Sequence, residues 1–571
     1  MTSAHAVPRT AWASVATSFI VVGAALRVLG FFTQGQLYVD DARVALDIAS
    51  GSLSELTRPL DYGQAAPIVF LWAEKGMTRL GGINEYALRS LPLVASIAVL
   101  VLLWEVGRRA LGVRPAALAT CLGALSPFLI GYANAVKQYS SDALVTLLLF
   151  WLVLEVLRAP DDRAAWWRLT GGGAASLWLS HPAVFMLAGA MLALPASRAV
   201  RAAPNWWRRY ALTTVAWMSM FAAIYFLVYQ SGERDTFLTQ FWEWTFLSPG
   251  APDFGGRVWR ATRAMLVPPI WAGGALLGTP LVLGGLTSIA FLVGLGAIFR
   301  AQGASLALLC AGPYVAVLGA AVIGKYPPAD RFLLFAAPLL LFIFASALFW
   351  VTAVFPSRMQ GLALAAVLVL FTLWRYPAAL EQAAHPERRR EAKTLLRTIE
   401  ARAPDAPVYL FTPRARCDGS VWAFYTTDWN APDTMRLRRF ARIWAGTGGL
   451  LIAEGATPPS SEAMSFTFGR HQELIGTGAG IQYVRGGIAL SPIPDPRWVE
   501  GESARIRRAA NPTAWLWATE LYPENTIAAL LHSLRLHGGR LIFASRVLGA
   551  TAWEVEFADG ARPKNARRSL R

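Results

Sequence analysis

Ala11 to Phe32 reads AWASVATSFIVVGAALRVLGFF, with Arg27 the only charge in twenty-two residues. An apolar run of this length is long enough to cross a bilayer as one helix. It is followed at once by Tyr38-Val39-Asp40-Asp41-Ala42-Arg43. A carboxylate pair at the mouth of a membrane span is expensive unless it is hydrated, paired or used. The bulk composition agrees with a membrane chain: 55% of the 571 residues are hydrophobic, only 16% are charged, and mean hydropathy is +0.40. Soluble domains carry about 25% charged residues. No small-residue cleavage site follows the first run, so it reads as a retained span rather than a signal peptide.

Further runs lie near 90–107, 115–133, 142–157, 169–180, 182–196, 210–230, 280–299, 303–323, 332–355 and 359–376, which makes about eleven spans in a membrane all-α bundle. The stretch from Leu266 to Leu277 is apolar but broken by Pro and Gly, and suits a re-entrant or interfacial segment. The net charge of +17 could point to nucleic acid, but most Arg in the first two-thirds falls in short loops between spans. Arg108, Arg109 and Arg114, then Arg158, Arg163 and Arg168, then Arg198, Arg201, Arg208 and Arg209, then Arg300, then Arg358 occupy alternate loops. That is the positive-inside pattern of a chain with its N-terminus in the cytoplasm. It puts Asp40-Asp41, Lys137 to Asp142, the 231–265 loop, Lys325 to Arg331 and everything after Tyr376 on the outer side. No aromatic-basic RNA motif or recognition helix is present.

The first outer loop, about 33–89, holds two helix-like stretches, Ala42 to Ile48 and Ala66 to Leu80. Apolar residues recur at spacings of three and four, so both read as helices on the membrane surface. From about 377 the composition turns polar. His385 to Arg397 reads as a charged helix and Thr526 to His537 as an amphipathic one. Val408 to Phe411, Trp515 to Ala518, Arg540 to Ser545 and Ala552 to Phe557 read as strands. The expected organisation is a transmembrane domain over 1–376, a small outer α/β domain over 377–561 and a basic tail over 562–571. The domain has no phosphate-cradling Gly-rich loop: Gly446-Thr447-Gly448-Gly449 lacks the required spacing. Of three Cys, Cys121 and Cys310 lie in apolar runs and Cys417 is alone in the tail, so neither a disulfide framework nor a zinc site is indicated.

Three outer clusters carry chemistry. The first is Asp40-Asp41-Ala42-Arg43 with Asp61-Tyr62-Gly63-Gln64-Ala65-Ala66-Pro67. The second is Lys137-Gln138-Tyr139-Ser140-Ser141-Asp142, and the third is Gly324-Lys325-Tyr326-Pro327-Pro328-Ala329-Asp330-Arg331. Cations hold phosphate oxygens, Tyr and Gln bind hydroxyls, and a carboxylate takes the proton of an attacking hydroxyl. Each cluster also has a plain structural reading. The acids could cap a helix starting at Ala42, Arg43 could pair with Asp47, and Lys137, Asp142, Lys325 and Arg331 could anchor helix ends.

These motifs resemble the GT-C glycosyltransferases, in particular the group of protein O-mannosyltransferases and the aminoarabinose transferase of lipid A, which use polyprenyl-phosphate sugars. Asp40-Asp41 with Arg43 is similar to that family's acidic pair in the first outer loop. Lys137 to Asp142 resembles the Lys-Gln-Tyr-Ser-Ser-Asp form of bacterial members, and Tyr326 to Arg331 before a Pro338-containing span is also similar. The chain departs from the pattern with Asp41 for the usual Glu, Val44 for a frequent Tyr, and Gln64-Ala65 where the lipid A enzyme has Glu and Lys.

The resemblance implies a GT-C bundle and an inverting transferase of the bacterial inner membrane, working on its outer face. Asp40 would be the general base and Asp41 an orienting acid. Arg43, Lys137, Lys325 and Arg331 would bind the donor phosphate, and Tyr62, Gln64, Tyr139, Asp142 and Tyr326 would contact donor or acceptor. The implied partners are a polyprenyl-phosphate-linked sugar, a glycan, lipid or protein acceptor, and membrane lipids. The family leaves room for a divalent metal, and no ligand set in the sequence supports one. Two other classes fit less well: a polyprenol-linked sugar flippase, which would place its binding groups near the midplane, and a non-catalytic envelope assembly protein.

Overall fold

A computed structural model describes residues 9–60, 64–229, 242–271, 280–386 and shorter stretches of 392–557. The expected basic tail, Cys417, Tyr62 and 272–279 lie outside the described residues. Two compact units emerge, one from the described parts of 1–34, 53–59 and 65–387, the other from those of 35–52, 60–64 and 388–571.

The first unit is a helical bundle. Among the described residues, eight of its helices are long and apolar enough to cross a membrane. Helices α1 (Arg9–Thr33), α4 (Glu85–Ala110) and α7 (Tyr139–Arg158) belong to that set, with α2 (Val39–Ser50) and α3 (Ile68–Gly81) preceding α4 in the chain. Hydropathy reads 115–133 as one crossing, but the chain forms two pieces, α5 (Val113–Ala124) and α6 (Pro127–Tyr132). The break has a local cause. A residue before proline is pushed out of the helical region, and Ser126 instead caps α6 by accepting from the Leu129 amide. The short runs 169–180 and 182–196 become α8 (Arg163–Leu179) and α9 (Ala183–Ala196), separated by Ser180, His181 and Pro182. Their mutual approach to the rest is close: a methyl added to Gly189 would lie 2.8 Å from Pro313 in the helix Ala304–Val322.

Ala337–Thr352 is buried along most of its length and forms the centre of the bundle. Peripheral helices instead expose large apolar side chains, such as Leu292 at 67% and Leu362 at 72%. Scattered exposure on this scale, on helices that satisfy their own backbone groups, is what a hydrocarbon solvent permits. Charges also lie inside, Arg27 among them. It is fully buried and spreads its guanidinium over the Ser96 hydroxyl at 2.8 Å and the carbonyls of Gly23 at 2.9 Å and Gly123 at 3.1 Å, tying α1 to α4 and to the open C-terminal end of α5.

The second unit contains α2 and a four-stranded sheet of order β1-β5-β7-β6, with β1 (Val408–Phe411), β5 (Thr513–Thr519), β6 (Gly539–Val547) and β7 (Ala550–Phe557). β1 runs parallel to β5, with Val408 opposite Trp515, and β5, β7 and β6 are antiparallel. Ala514 to Ala518 are buried without alternation, as in a central strand covered on both faces. A separate antiparallel sheet joins β2 (Met464–Thr467), β3 (Glu473–Thr477) and β4 (Gly480–Ile481). The charged stretch expected over 385–397 divides differently: the apolar helix Ser357–Ala384 ends just before it and Ala392–Arg402 forms a new helix.

Candidate functional site

The acidic pair opens α2. Its N-cap is Tyr38, which makes no side-chain cap, so Asp40 and Asp41 occupy the first turn, where the amide ends of the helix favour negative charge. Arg43 turns back onto Asp40, with Nη1 3.5 Å from Oδ1. Asp41, Arg43 and Asp47 are buried, whereas the Asp40 side chain keeps 21% of its surface open. Three acids and one arginine within two turns exceed what one cap requires. Of the three acids, Asp40 is the one whose side chain is least buried. Gln64 falls in the same unit.

The Lys137 to Asp142 segment sits in the first unit where α7 begins, and Lys137, Gln138, Tyr139, Ser140 and Asp142 are all buried. Buried polar groups need partners, and the backbone supplies several. Gln138 donates from Nε2 to the Ala65 carbonyl at 3.4 Å, and Ser140 donates to the Tyr132 carbonyl at 3.1 Å. The Asp142 carboxyl faces the Ser180 hydroxyl in the turn before α9. In that turn, burial pulls the His181 imidazole down to about 4, so it is neutral at pH 7.

Tyr139 carries the segment to the third cluster. Its ring meets Phe332 edge-on at 6.3 Å, and Phe332 in turn meets Tyr326 at 6.1 Å. The Tyr326 hydroxyl donates to the Phe332 carbonyl at 2.7 Å. Arg331 lies with its guanidinium carbon 5.6 Å from the centres of both Phe332 and Trp242. Tyr139, Tyr326, Arg331 and Lys137 to Asp142 are thus parts of one neighbourhood. Lys325 is exposed, with its amide bonded to the Ala320 carbonyl. Trp242 was not singled out by sequence reasoning, since a Trp in an outer loop reads equally well as an interfacial anchor. Among the described residues no three His, Cys, Asp or Glu are grouped to hold a metal ion.

Residues 65–229, which include the Lys137 to Asp142 segment, match the family model described as dolichyl-phosphate-mannose-protein mannosyltransferase. Among solved structures, ArnT from Cupriavidus metallidurans bound to undecaprenyl phosphate is similar at 14% identity and a TM-score of 0.48, covering 94% of this chain and 98% of that one. The apo oligosaccharyltransferase of Archaeoglobus fulgidus is similar at 12% identity and a TM-score of 0.49, covering 97% and 75%. No curated protein sequence matches the chain.

Proposed function

We propose that the chain is a membrane glycosyltransferase of the GT-C type, similar over 65–229 to the family described as dolichyl-phosphate-mannose-protein mannosyltransferase, and that it moves a sugar from a polyprenyl-phosphate donor to a hydroxyl acceptor with inversion at the anomeric carbon. The observation that carries this reading is the buried Lys137 to Asp142 segment, a set of polar side chains inside the matched stretch at the end of a membrane helix. Polar groups in such a place mark function by default.

In the proposed reaction the acceptor oxygen attacks the anomeric carbon from the face opposite the phosphate. Asp40 takes the hydroxyl proton. The bond to the phosphate oxygen breaks, and its electron pair leaves with the polyprenyl phosphate. Arg43, Lys137, Lys325 and Arg331 meet the negative charge that grows on that phosphate, which is where stabilisation accelerates such a step. Asp41 orients the acceptor or Arg43. Tyr62, Gln64, Tyr139, Asp142 and Tyr326 contact donor or acceptor. The Arg-bearing alternate loops support an inner-membrane protein whose reaction faces outward.

The test is release of radiolabelled sugar from a panel of polyprenyl-phosphate sugars, each with candidate acceptors, by full-length protein in nanodiscs. Release that vanishes in Asp40→Asn, with membrane insertion intact, supports the reading and names the donor. Near-wild-type release by that variant would remove Asp40 as the base.

A further inference from the structure

We infer that the arginine-rich rim formed by the starts of α8 and of the helix Trp206–Ile224 binds the headgroup of an anionic phospholipid, with Arg163 and Arg208 on its phosphate and Trp167 and Trp207 at the boundary with its acyl chains.

The two helix starts carry the same tripeptide, Trp166-Trp167-Arg168 in one and Trp206-Trp207-Arg208 in the other. In each pair the second ring faces outward: Trp167 is 72% exposed and Trp207 63%. The two motifs are joined through one atom. The Pro160 carbonyl accepts from Trp166 Nε1 at 2.9 Å and from Arg209 Nη1 at 2.9 Å, and Arg209 also reaches the Asp161 carbonyl at 3.0 Å. Further along, the Thr170 and Thr213 hydroxyls lie 2.7 Å apart, and Trp217 donates to the Thr170 carbonyl at 3.1 Å. The helices therefore start side by side and run in the same direction. Residues 206–227 are long and apolar enough to cross a membrane, which puts Trp207 and Arg208 at its boundary with water.

Charge on this rim is poorly compensated. From Glu155 to Arg209 the chain holds seven arginines and three acids. Two of the acids meet one arginine: Arg168 reaches Glu155 at 3.2 Å and Asp162 at 3.5 Å. Arg158, Arg201 and Arg209 bond backbone carbonyls, which leave their charge in place. Arg163, Arg198 and Arg208 are exposed and, among the described residues, make no hydrogen bond or ion pair. Arginine holds phosphate oxygens through parallel N–H bonds, and tryptophan settles where headgroup meets hydrocarbon. A soluble polyanion would engage the arginines and leave both exposed rings without a role. A phospholipid uses both.

The experiment takes full-length protein in detergent with equal amounts of phosphatidylglycerol and phosphatidylcholine, and counts the lipids it retains by native mass spectrometry. Wild type should retain phosphatidylglycerol in preference. Arg163→Gln with Arg208→Gln should cut that preference about tenfold or more, since each basic residue near an anionic headgroup is worth about a fivefold change. Arg163→Lys with Arg208→Lys keeps the charge and should retain most of it. Arg300→Gln removes an exposed arginine that ends another membrane helix with no tryptophan beside it, and should leave the preference unchanged. A preference that survives in the glutamine pair, or falls as far in Arg300→Gln, would overturn the inference. So would a wild type that retains both lipids equally. Displacement of phosphatidylglycerol by equimolar undecaprenyl phosphate would assign the rim to the donor lipid instead, and displacement by soluble glycerol phosphate would assign it to a free anion.

Discussion

Gly312 packs directly against Gly189: a methyl placed on Gly312 would come within 2.7 Å of the Gly189 α-carbon. The neighbour is backbone and cannot swing aside. Gly312→Ala is therefore expected to destabilise the bundle by about 1–3 kcal/mol, the usual cost of overpacking. Thermal unfolding in detergent checks this. Gly171→Ala, where nothing lies within 4 Å of the added methyl, is the control and should match or exceed wild type. Equal midpoints for the two variants would contradict the close approach.

Arg43 offers a second test. It reaches Asp40 while almost wholly buried, so its forked head cannot be replaced by a point charge without loss. Arg43→Lys should lower the rate of sugar transfer about tenfold or more while expression and melting temperature stay near wild type. Initial rates at saturating acceptor decide it, and an unchanged rate would show that Arg43 needs only its charge.

The buried turn at His181 makes stability depend on pH. Its folded value of about 4 lies below the ordinary 6.5. Between those values the unfolded chain binds the proton and the folded chain does not, so stability rises with pH across the window. The contribution is complete above 6.5 and is lost as the pH falls towards 4. Melting temperatures from pH 7 to pH 4.5 should drop more steeply for wild type than for His181→Gln; parallel slopes would exclude this residue as the cause.

In the second unit, Glu554 on β7 is 3% exposed and accepts from Arg402 Nε at 2.9 Å, while the same guanidinium covers the Phe543 ring at 3.9 Å. Removing the arginine strands a buried carboxylate. Arg402→Ala is expected to cost about 1–3 kcal/mol and to speed proteolysis of the C-terminal unit. Arg402→Ala with Glu554→Gln should recover part of the loss. Resistance to protease equal to wild type in the single variant would refute the argument.

The long apolar runs were legible because they meet a simple requirement of length and composition. The strand readings at 408–411 and 515–518 were legible for a similar reason, since β-branched and aromatic residues cluster there. The break at Ser126-Pro127 escapes a hydropathy average, which does not register one capped turn inside an apolar stretch. Helix α2 shows a different limit. Spacings of three and four suggest one buried face, yet Asp41, Arg43 and Asp47 are buried as well, and a pattern drawn from apolar residues alone cannot anticipate buried charge. The pairing of Trp242 with Arg331 is a contact between distant segments, and no local periodicity encodes it.

Arg27 has a consequence for how the protein is made. The charge sits within a hydrophobic helix, Arg9–Thr33, where an arginine costs about 3 kcal/mol on insertion. Two of the acceptors that receive it, Ser96 and the carbonyl of Gly123, are translated long afterwards. Until they arrive, the helix Arg9–Thr33 must carry its proton-rich side chain toward a headgroup layer or keep it in the insertion channel. Its final depth is set only when the helices bearing Ser96 and Gly123 join it, so this segment is laid down before its partners and seated late.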